Sequence, residues 1–208
     1  MSEEDLLGPA DEVARSLLGC WVVSERPEGT VALRLTEVEA YSGSGIDPAA
    51  HSHRGPTPRA SIMFGPPGRL YVYFSYGVHW CANVVVGPEG DGEAVLLRAG
   101  EVVVGEELAR SRRPAARSPR ALAGGPARLT QALAIGRDDL GTELLDASSP
   151  VRLHRGPAPS AISAGPRVGI SLATDLPWRF WETDAPSVSA FRAGGKPRRR
   201  TSGQDGSP

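Results

Sequence analysis

The sequence predicts a single α/β domain, because both helical and strand patterns occur along the chain. Its 208 residues are enough to bury a core, and 40% hydrophobic with 23% charged residues is a typical globular composition. Helical spacing occurs at residues 11–19, 101–111 and 126–135, between shorter apolar or alternating runs. No internal repeat accompanies this pattern.

The shorter runs predict strands at residues 20–24, 31–40, 69–76, 79–86, 94–99, 151–154 and 166–172. Gly77 lies at the tip of the hairpin that joins the third and fourth of them. In the second strand one face begins apolar and ends acidic, with Val31, Leu33, Leu35, Glu37 and Glu39. That profile is typical of a strand that leaves the core and enters a cleft.

Three segments fall outside these elements. Residues 42–68 form a long loop rich in Gly, Pro and Ser, and such loops are usually functional or disordered. Residues 110–125 are rich in Arg, Ala and Pro, which predicts a mobile connection. Residues 193–208 predict a disordered basic tail. The domain itself is therefore expected to span residues 1–192.

Charge is unevenly distributed in a chain whose net charge is only -1. Residues 1–50 carry three arginines against ten acids, whereas residues 101–137 carry seven arginines against three acids. This asymmetry permits a nucleic-acid face, although charge alone favours a solvated surface with a basic tail. The single lysine is Lys196, so the folded body has no candidate for a lysine nucleophile.

The compartment is predicted from what the sequence lacks. The acidic segment 1–5 argues against a signal peptide, and two cysteines argue against a disulfide framework. No apolar run approaches the ~20 residues of a membrane helix. We therefore expect a cytoplasmic protein with no membrane partner.

Glu37 and Glu39 are the first candidates for chemistry. Residues two apart on a strand have Cα atoms ~6.5–7 Å apart, a spacing at which two carboxylates could straddle a water and a glycosidic bond. An ordinary acidic surface strand is the usual alternative. The apolar start of this face favours partial desolvation, which would raise a carboxyl pKa and make it a better base.

Other polar residues allow more than one interpretation. His51 and His53 lack a third ligand at metal spacing, so a substrate contact or an ordinary loop histidine is favoured over a metal site. Asn83 and Arg98 interrupt apolar strands, and each needs either a structural polar partner or a ligand. Motifs for dinucleotides, phosphates and serine nucleophiles are missing, so no cofactor is expected.

The hairpin at residues 69–86 is rich in aromatic residues. Tyr71 and Tyr73 share a strand face, where core packing is the usual explanation. Tyr76, beside Gly77 at the tip, has little core to fill. Such a ring could act as a wedge between base pairs, as in minor-groove proteins.

An ordered set of motifs makes the whole chain recognisable. They are Leu17-Leu18-Gly19, TEVEAY (36–41), AAHS (49–52), TPR (57–59), Met63-Phe64, LYVYFSYG (70–77), CAN (81–83), GDGEAVLLRA (90–99), Gly125-Pro126 with Leu129, Gln131-Ala132-Leu133 and Arg167-Val168-Gly169. Over about residues 12–192 the set resembles the alkyladenine (3-methyladenine) DNA glycosylases.

The resemblance implies a curved, mainly antiparallel sheet with surrounding helices and a hairpin that projects into the minor groove of double-stranded DNA. It implies a monomeric, monofunctional enzyme of bacterial type, associated with the nucleoid. Such an enzyme flips alkylated purines, and also deaminated or etheno purines, out of the duplex. It then hydrolyses the N-glycosidic bond with a Glu-activated water, leaving an abasic site for base excision repair.

The resemblance also implies roles in the chemical step. Glu39 looks like the general base that activates water for attack on the sugar C1′. Arg98 looks like a partner of that water and of Glu39. Glu37 would then be secondary, with an orienting or structural role.

Five further residues look like parts of the DNA site. Tyr41, His51 and Tyr73 look like the walls that sandwich the flipped base. Asn83 looks like the screen against the exocyclic amino group of normal guanine. Tyr76 looks like the residue that fills the gap left in the duplex.

Two alternatives to this activity remain. A non-catalytic damaged-DNA-binding protein of the same fold would sense lesions without cutting, but it would gain nothing from Glu39 near a phosphodiester. A glycosidase for free nucleosides is disfavoured by Tyr76 and the basic segments.

Overall fold

A computed structural model describes residues 1–75 and 77–195 of the chain. Its strands are β1 (Trp21–Arg26), β2 (Gly29–Tyr41), β3 (Leu70–Ser75), β4 (His79–Val86), β5 (Glu93–Val104), β6 (Val151–His154), β7 (Ile162–Gly165) and β8 (Arg179–Glu182). Its helices are α1 (Ala10–Leu17), α2 (Glu106–Arg112) and α3 (Pro126–Leu133), and short 3-10 turns connect some of these elements.

The strands form one curled sheet in the order β3-β4-β5-β2-β1-β6, and the strand pairs in the described part of the chain are antiparallel. The long strand β2 lies in the middle of the sheet and pairs with β5 on one side. On its other side, β1 pairs with the first part of β2, and β8 pairs with residues 37–39. The predicted mixed α/β fold with a curved, mainly antiparallel sheet is confirmed.

The core lies between this sheet and the helices. On α1, Val13, Ala14 and Leu17 are buried at the helical spacing that the sequence predicted, and α3 buries Leu129 and Leu133 in the same cluster. These side chains belong to one core cluster with apolar residues from both halves of β2, including Val38 and Ala40 beside the glutamates. The second half, which carries the two glutamates, is thereby held at a fixed position.

The prediction of a helix over residues 101–111 was wrong in its first part. Strand β5 continues to Val104, where Glu101 and Val102 pair with Arg34 and Leu33 of β2. β-branched valines at 102–104 fit a pleated strand better than a helix. The left-handed Gly105, with φ 73°, then separates β5 from α2.

The prediction of a strand at residues 166–172 was also wrong. The strands of this region are β7 and β8, which form a hairpin on either side of that segment and had not been predicted. The backbone N–H of Val168 donates to the carboxylate of Glu39 instead of to a neighbouring strand. The guanidinium of Arg167 is buried against Asp47. Side-chain partners thus replace a strand ladder here.

The Arg-rich segment at 110–125 includes the end of α2 and buries Leu122 and Ala123 in the core. Its mobility stays a prediction. The basic tail predicted at 193–208 falls outside the described residues from 196 onward. Among the described helices, none has the length and apolar character that crossing a membrane requires.

Candidate active site

One cavity of about 600 Å³ opens beside the hairpin of β3 and β4. Its walls come from β2 to β5, from the loop before β3 and from residues 168–172. Five of the residues singled out in the sequence line it together, namely Tyr41, His51, Tyr73, Asn83 and Arg98. Tyr76 lies outside the described residues.

Glu39 is fully buried directly behind this wall. Its Oε1 accepts a hydrogen bond from the backbone N–H of Val168 at 2.6 Å. Its Oε2 accepts bonds from the hydroxyl of Tyr41 at 2.9 Å and from Arg98 at 3.3 Å. All three donors line the cavity, so the carboxylate is one hydrogen bond away from it.

Burial raises the pKa of Glu39, although Arg98, the Val168 N–H and the Tyr41 hydroxyl each favour the ionised form, and nearby Glu37 raises it further. The pKa of Tyr41 is raised well above its ordinary value, first by burial and then by Glu39. Tyr41 therefore keeps its proton and serves as a hydrogen-bond donor. A buried carboxylate with a raised pKa is suited to accept a proton from water.

Arg98 lies on β5 between the two glutamates. Its Nε donates to Oε1 of Glu37 at 2.9 Å, and its Nη1 donates to Glu39. Burial alone would lower the pKa of Arg98, but the two carboxylates outweigh it and raise the pKa. Of the partners that the sequence left open for Arg98, a structural polar partner or a ligand, the structure supplies the two acids Glu37 and Glu39.

The two glutamates have different surroundings. Glu37 is fully buried, and its Oε1 accepts bonds from Arg98, Arg179 and the hydroxyl of Ser189. Its Oε2 accepts the Ser189 N–H at 2.6 Å. Both oxygens of Glu37 are therefore bonded to protein groups, whereas the three donors to Glu39 line the cavity. Glu37 thus has the contacts of a supporting carboxylate, and Glu39 has those of a carboxylate beside the cavity.

The aromatic wall of the cavity is held together by His51. Its Nδ1 shares a hydrogen bond of 2.9 Å with the hydroxyl of Tyr71, and its ring meets the ring of Tyr73 edge-on at 4.6 Å between centroids. The rings of Tyr71 and Tyr73 lie 5.6 Å apart. The guanidinium of Arg59 lies 5.2 Å from the centroid of Tyr73. Aromatic side chains thus form one wall of the cavity.

Desolvation, with a smaller effect of the Arg59 cation, lowers the pKa of His51 to about 4. The imidazole is therefore neutral at pH 7 and adds no positive charge to the cavity. A neutral ring can stack against a cationic base without repelling it.

Asn83 and Cys81 lie on β4 and line the cavity. The amide nitrogen of Asn83 donates to the carbonyl of Tyr71 at 3.1 Å, which fixes the amide at the wall. Cys81 and Cys20 are free thiols, both buried. Across residues 1–75 and 77–195, no group of three or more His, Cys, Asp or Glu side chains could hold a metal ion.

Sequence reasoning missed two buried arginines. Arg167 pairs with Asp47 and donates to the carbonyl of Ala40, next to Glu39. Arg179 donates to Glu37 at 2.7 Å. Arg179 could have been found in the same way as Arg98, as a charge within an apolar run, because large apolar residues flank it in Trp178-Arg179-Phe180-Trp181. Arg167 falls in a motif of the resemblance but had been given no role.

The family model for methylpurine-DNA glycosylase matches residues 4–186. A curated protein of Nocardia farcinica, named "Putative 3-methyladenine DNA glycosylase", is 52% identical over 198 residues, which cover 92% of each chain. Proteins of the same name from Streptomyces avermitilis and Mycobacterium tuberculosis are 47% and 48% identical. Their matches cover 97% and 92% of this chain, and 96% and 94% of the respective relative.

Proposed function

The chain belongs to the methylpurine-DNA glycosylase family, whose members hydrolyse N-glycosyl bonds in DNA, and from this premise we propose that its cavity receives a flipped, damaged purine. Glu39 acts there as the general base that activates the attacking water. One observation carries this proposal: a buried carboxylate with a raised pKa is bonded to three residues that line an aromatic cavity.

The chemical step follows from this arrangement. Glu39 accepts a proton from water while the water oxygen forms a bond to the sugar C1′. The C1′–N bond breaks, and its electron pair leaves with the base. Arg98, which borders the cavity and bonds Glu39, orients the water. The product is a free base and an abasic site, and the reaction needs no covalent enzyme intermediate, in keeping with the lack of lysines before residue 196.

The aromatic walls favour alkylated purines as the main substrates. A methylated purine that carries positive charge stacks well on Tyr41 and Tyr73 and on the neutral ring of His51. It is also a good leaving group, so it needs little help from an acid. Deaminated and etheno purines are neutral and are proposed as slower substrates. Asn83 screens against the exocyclic amino group of normal guanine from its fixed position on the wall.

Extrusion of the base leaves a gap in the duplex. We propose that Tyr76, which lies in the sequence between β3 and β4, fills this gap from the minor groove, because an inserted side chain offsets part of the unstacking cost. We also propose that the protein binds as a monomer, so that one copy of this segment acts at each lesion.

Tyr76→Ser is therefore expected to weaken binding to a lesion duplex by about 10-fold or more, which corresponds to the ~1–3 kcal/mol of a stacking contact. The matched variant Tyr76→Phe keeps the ring and is expected to bind as wild type. Fluorescence anisotropy with a labelled duplex that contains a stable abasic-site analogue measures both. Equal affinity of Tyr76→Ser and wild type would remove the wedge role.

The pH dependence of the reaction provides a second prediction. Only ionised Glu39 accepts a proton, so the single-turnover rate should rise with pH through the pKa of Glu39 and then level off. Because burial raises that pKa, the midpoint should lie above the ordinary glutamate value of 4.5. Burial lowers the pKa of His51 to about 4, whereas it raises the pKa of Glu39, so Glu39 is the group expected to set this midpoint. A rate that stays flat down to pH 4.5 would contradict the general-base role.

The substrate range is tested with duplexes that each carry one methylated purine, 1,N6-ethenoadenine or hypoxanthine. Alkali cleaves the abasic sites formed, and the cut strand is quantified. We expect the methylated purine to be excised fastest. The alternative of a lesion-binding protein without activity predicts tight binding to the same duplexes and no alkali-labile sites in any of them.

A further inference from the structure

A compact network of buried charges lies behind the proposed catalytic pair. It contains Glu37 and Glu39 of β2, Arg98 of β5 and Arg179 of β8, so two negative charges face two positive charges. None of the four residues is more than 5% exposed. Charges removed from water to this degree need partners in fixed geometry, because an unpaired member is strongly destabilising.

Arg179 reaches this network from the strand that pairs with β2. Its backbone lies opposite Glu39, but its Nε donates to Oε1 of Glu37 at 2.7 Å. Its Nη2 donates to the carbonyl of Ser189 at 2.6 Å. The ring of Trp181 lies 4.8 Å from its guanidinium carbon. Arg179 is thus fixed on several sides and does not line the cavity.

Glu37 connects Arg179 to the proposed site. The same Oε1 atom that accepts from Arg179 also accepts from Nε of Arg98 at 2.9 Å. The hydroxyl of Ser189 donates to this oxygen at 2.8 Å and accepts from Nη2 of Arg98 at 3.2 Å. Two edges of the Arg98 guanidinium are thereby held, and its Nη1 is left to bond Glu39 at 3.3 Å.

We propose that Arg179 is a positioning residue, which acts through Glu37 and Ser189 to hold Arg98 against Glu39. Arg179 neutralises Glu37, so that Glu37 does not draw Arg98 away from Glu39. Without Arg179, Arg98 would be the remaining guanidinium bonded to Glu37, and the longer 3.3 Å contact to Glu39 would weaken first. This inference rests on the proposed function, because Arg98 and Glu39 are the groups that it positions.

Glu37 and Arg98 shift the pKa of Glu39 in opposite directions. The carboxylate of Glu37 raises the pKa of Glu39, whereas Arg98 lowers it. Loss of Arg179 removes a compensating cation from the network, and loss of Glu37 removes an anion. The other charged or titratable groups around Glu39 are unchanged in either case, namely Tyr41, Tyr73, Cys81 and the Arg167–Asp47 pair.

The test compares the pH profiles of Arg179→Gln and Glu37→Gln in single-turnover excision of a methylated purine. Arg179→Gln is expected to lower the plateau rate by about 10- to 100-fold, because the guanidinium of Arg98, which orients the water, is displaced. Arg179→Gln is also expected to shift the acid limb, the low-pH rise of the rate, to higher pH. Glu37→Gln should move the acid limb to lower pH, and the double variant should bring it back toward wild type. Lesion binding should stay within about twofold, since neither residue lines the cavity.

Arg15→Gln is the matched control. Arg15 also lies over an aromatic ring of β8, at 4.2 Å from the centroid of Phe180, but it is not among the described hydrogen-bond partners of Glu37, which are Arg98, Arg179 and Ser189. It should leave both rate and pH profile unchanged. Arg179→Lys restores a charge without the second bond to Ser189, and it should recover the wild-type acid limb with only part of the rate.

The outcomes separate this inference from the proposed function. If Glu39→Gln is inactive but the acid limbs of Arg179→Gln and Glu37→Gln coincide with that of wild type, the positioning role is wrong and the proposed function stands. If Glu39→Gln stays active, the proposed function fails. Should Arg179→Gln not fold, as judged by circular dichroism, Ser189→Ala decides, because it removes the hydroxyl that joins Glu37 to Arg98. A wild-type rate in Ser189→Ala together with an unmoved limb in Glu37→Gln would overturn the inference.

Discussion

Replacing Glu39 by Gln is expected to slow excision of a methylated purine by about 10²- to 10⁴-fold, the usual contribution of a general base. Glutamine keeps the shape of the side chain, but its single accepting oxygen can bond either Val168 or the pair Tyr41 and Arg98. It cannot accept a proton from water. The effect should therefore fall on the rate of the chemical step and leave lesion binding within about threefold of wild type.

Single-turnover rates with enzyme in excess over a methylated duplex measure this effect free of product release. Glu39→Asp is the matched variant, because it keeps the charge but withdraws the carboxylate by one methylene. It should retain more activity than Glu39→Gln. If Glu39→Gln cuts as fast as wild type, another group must activate the water and the assignment of Glu39 is wrong.

Replacing Arg167 by Met should lower the free energy of unfolding by about 3–5 kcal/mol, the usual effect of breaking a fully buried ion pair. Both Arg167 and Asp47 have fully buried side chains, so the variant leaves the Asp47 carboxylate without its cation. Arg167 also donates to the carbonyl of Ala40 and lies 4.7 Å from the ring centroid of Tyr41. The site wall should therefore loosen together with the fold.

Chemical denaturation measures this change, and a fall of roughly 6–20 °C in melting temperature should accompany it. Arg54→Met, on an exposed position of the same loop region as Asp47, is the control and should change stability by less than about 0.5 kcal/mol. The double variant Arg167→Met with Asp47→Asn removes both charges and should be more stable than Arg167→Met alone. A single variant as stable as wild type would show that the buried pair contributes nothing to the fold.

Local pattern was sufficient to predict much of this molecule. The apolar-to-acidic face of β2 predicted a strand that runs from the core toward a site, and the structure places Glu39 behind the wall of a cavity. Arg98 stood out as a charge within an apolar run, and that environment implied a polar partner or a ligand, which in the structure are the acids Glu37 and Glu39. Both signals depend on neighbours within a few residues, so they are visible in the sequence.

The parts that could not be predicted depend on distant contacts. Arg179 and Glu37 are 142 residues apart in the chain, and no periodicity indicates that β8 pairs with β2 at that position. Residues 166–172 have an apolar pattern that fits a strand, but the Val168 N–H donates to Glu39, 129 residues away. At residues 101–111 the apolar spacing fits a helix, but the β-branched valines at 102–104 favour a strand, and pairing with β2 extends β5 through them. The spacing alone did not show where the strand ends and the helix begins.

The most direct test of the central claim is to quantify free base and abasic site together in one reaction of the wild-type protein with a duplex that carries a single methylated purine. If Glu39 directs water to C1′ in this cavity, free methylpurine and abasic sites should appear in equal amounts. The strand should break only after alkali, and an undamaged duplex should yield neither product. Strand breakage without alkali, base release from undamaged DNA at the same rate, or no release of the methylated base would contradict the account.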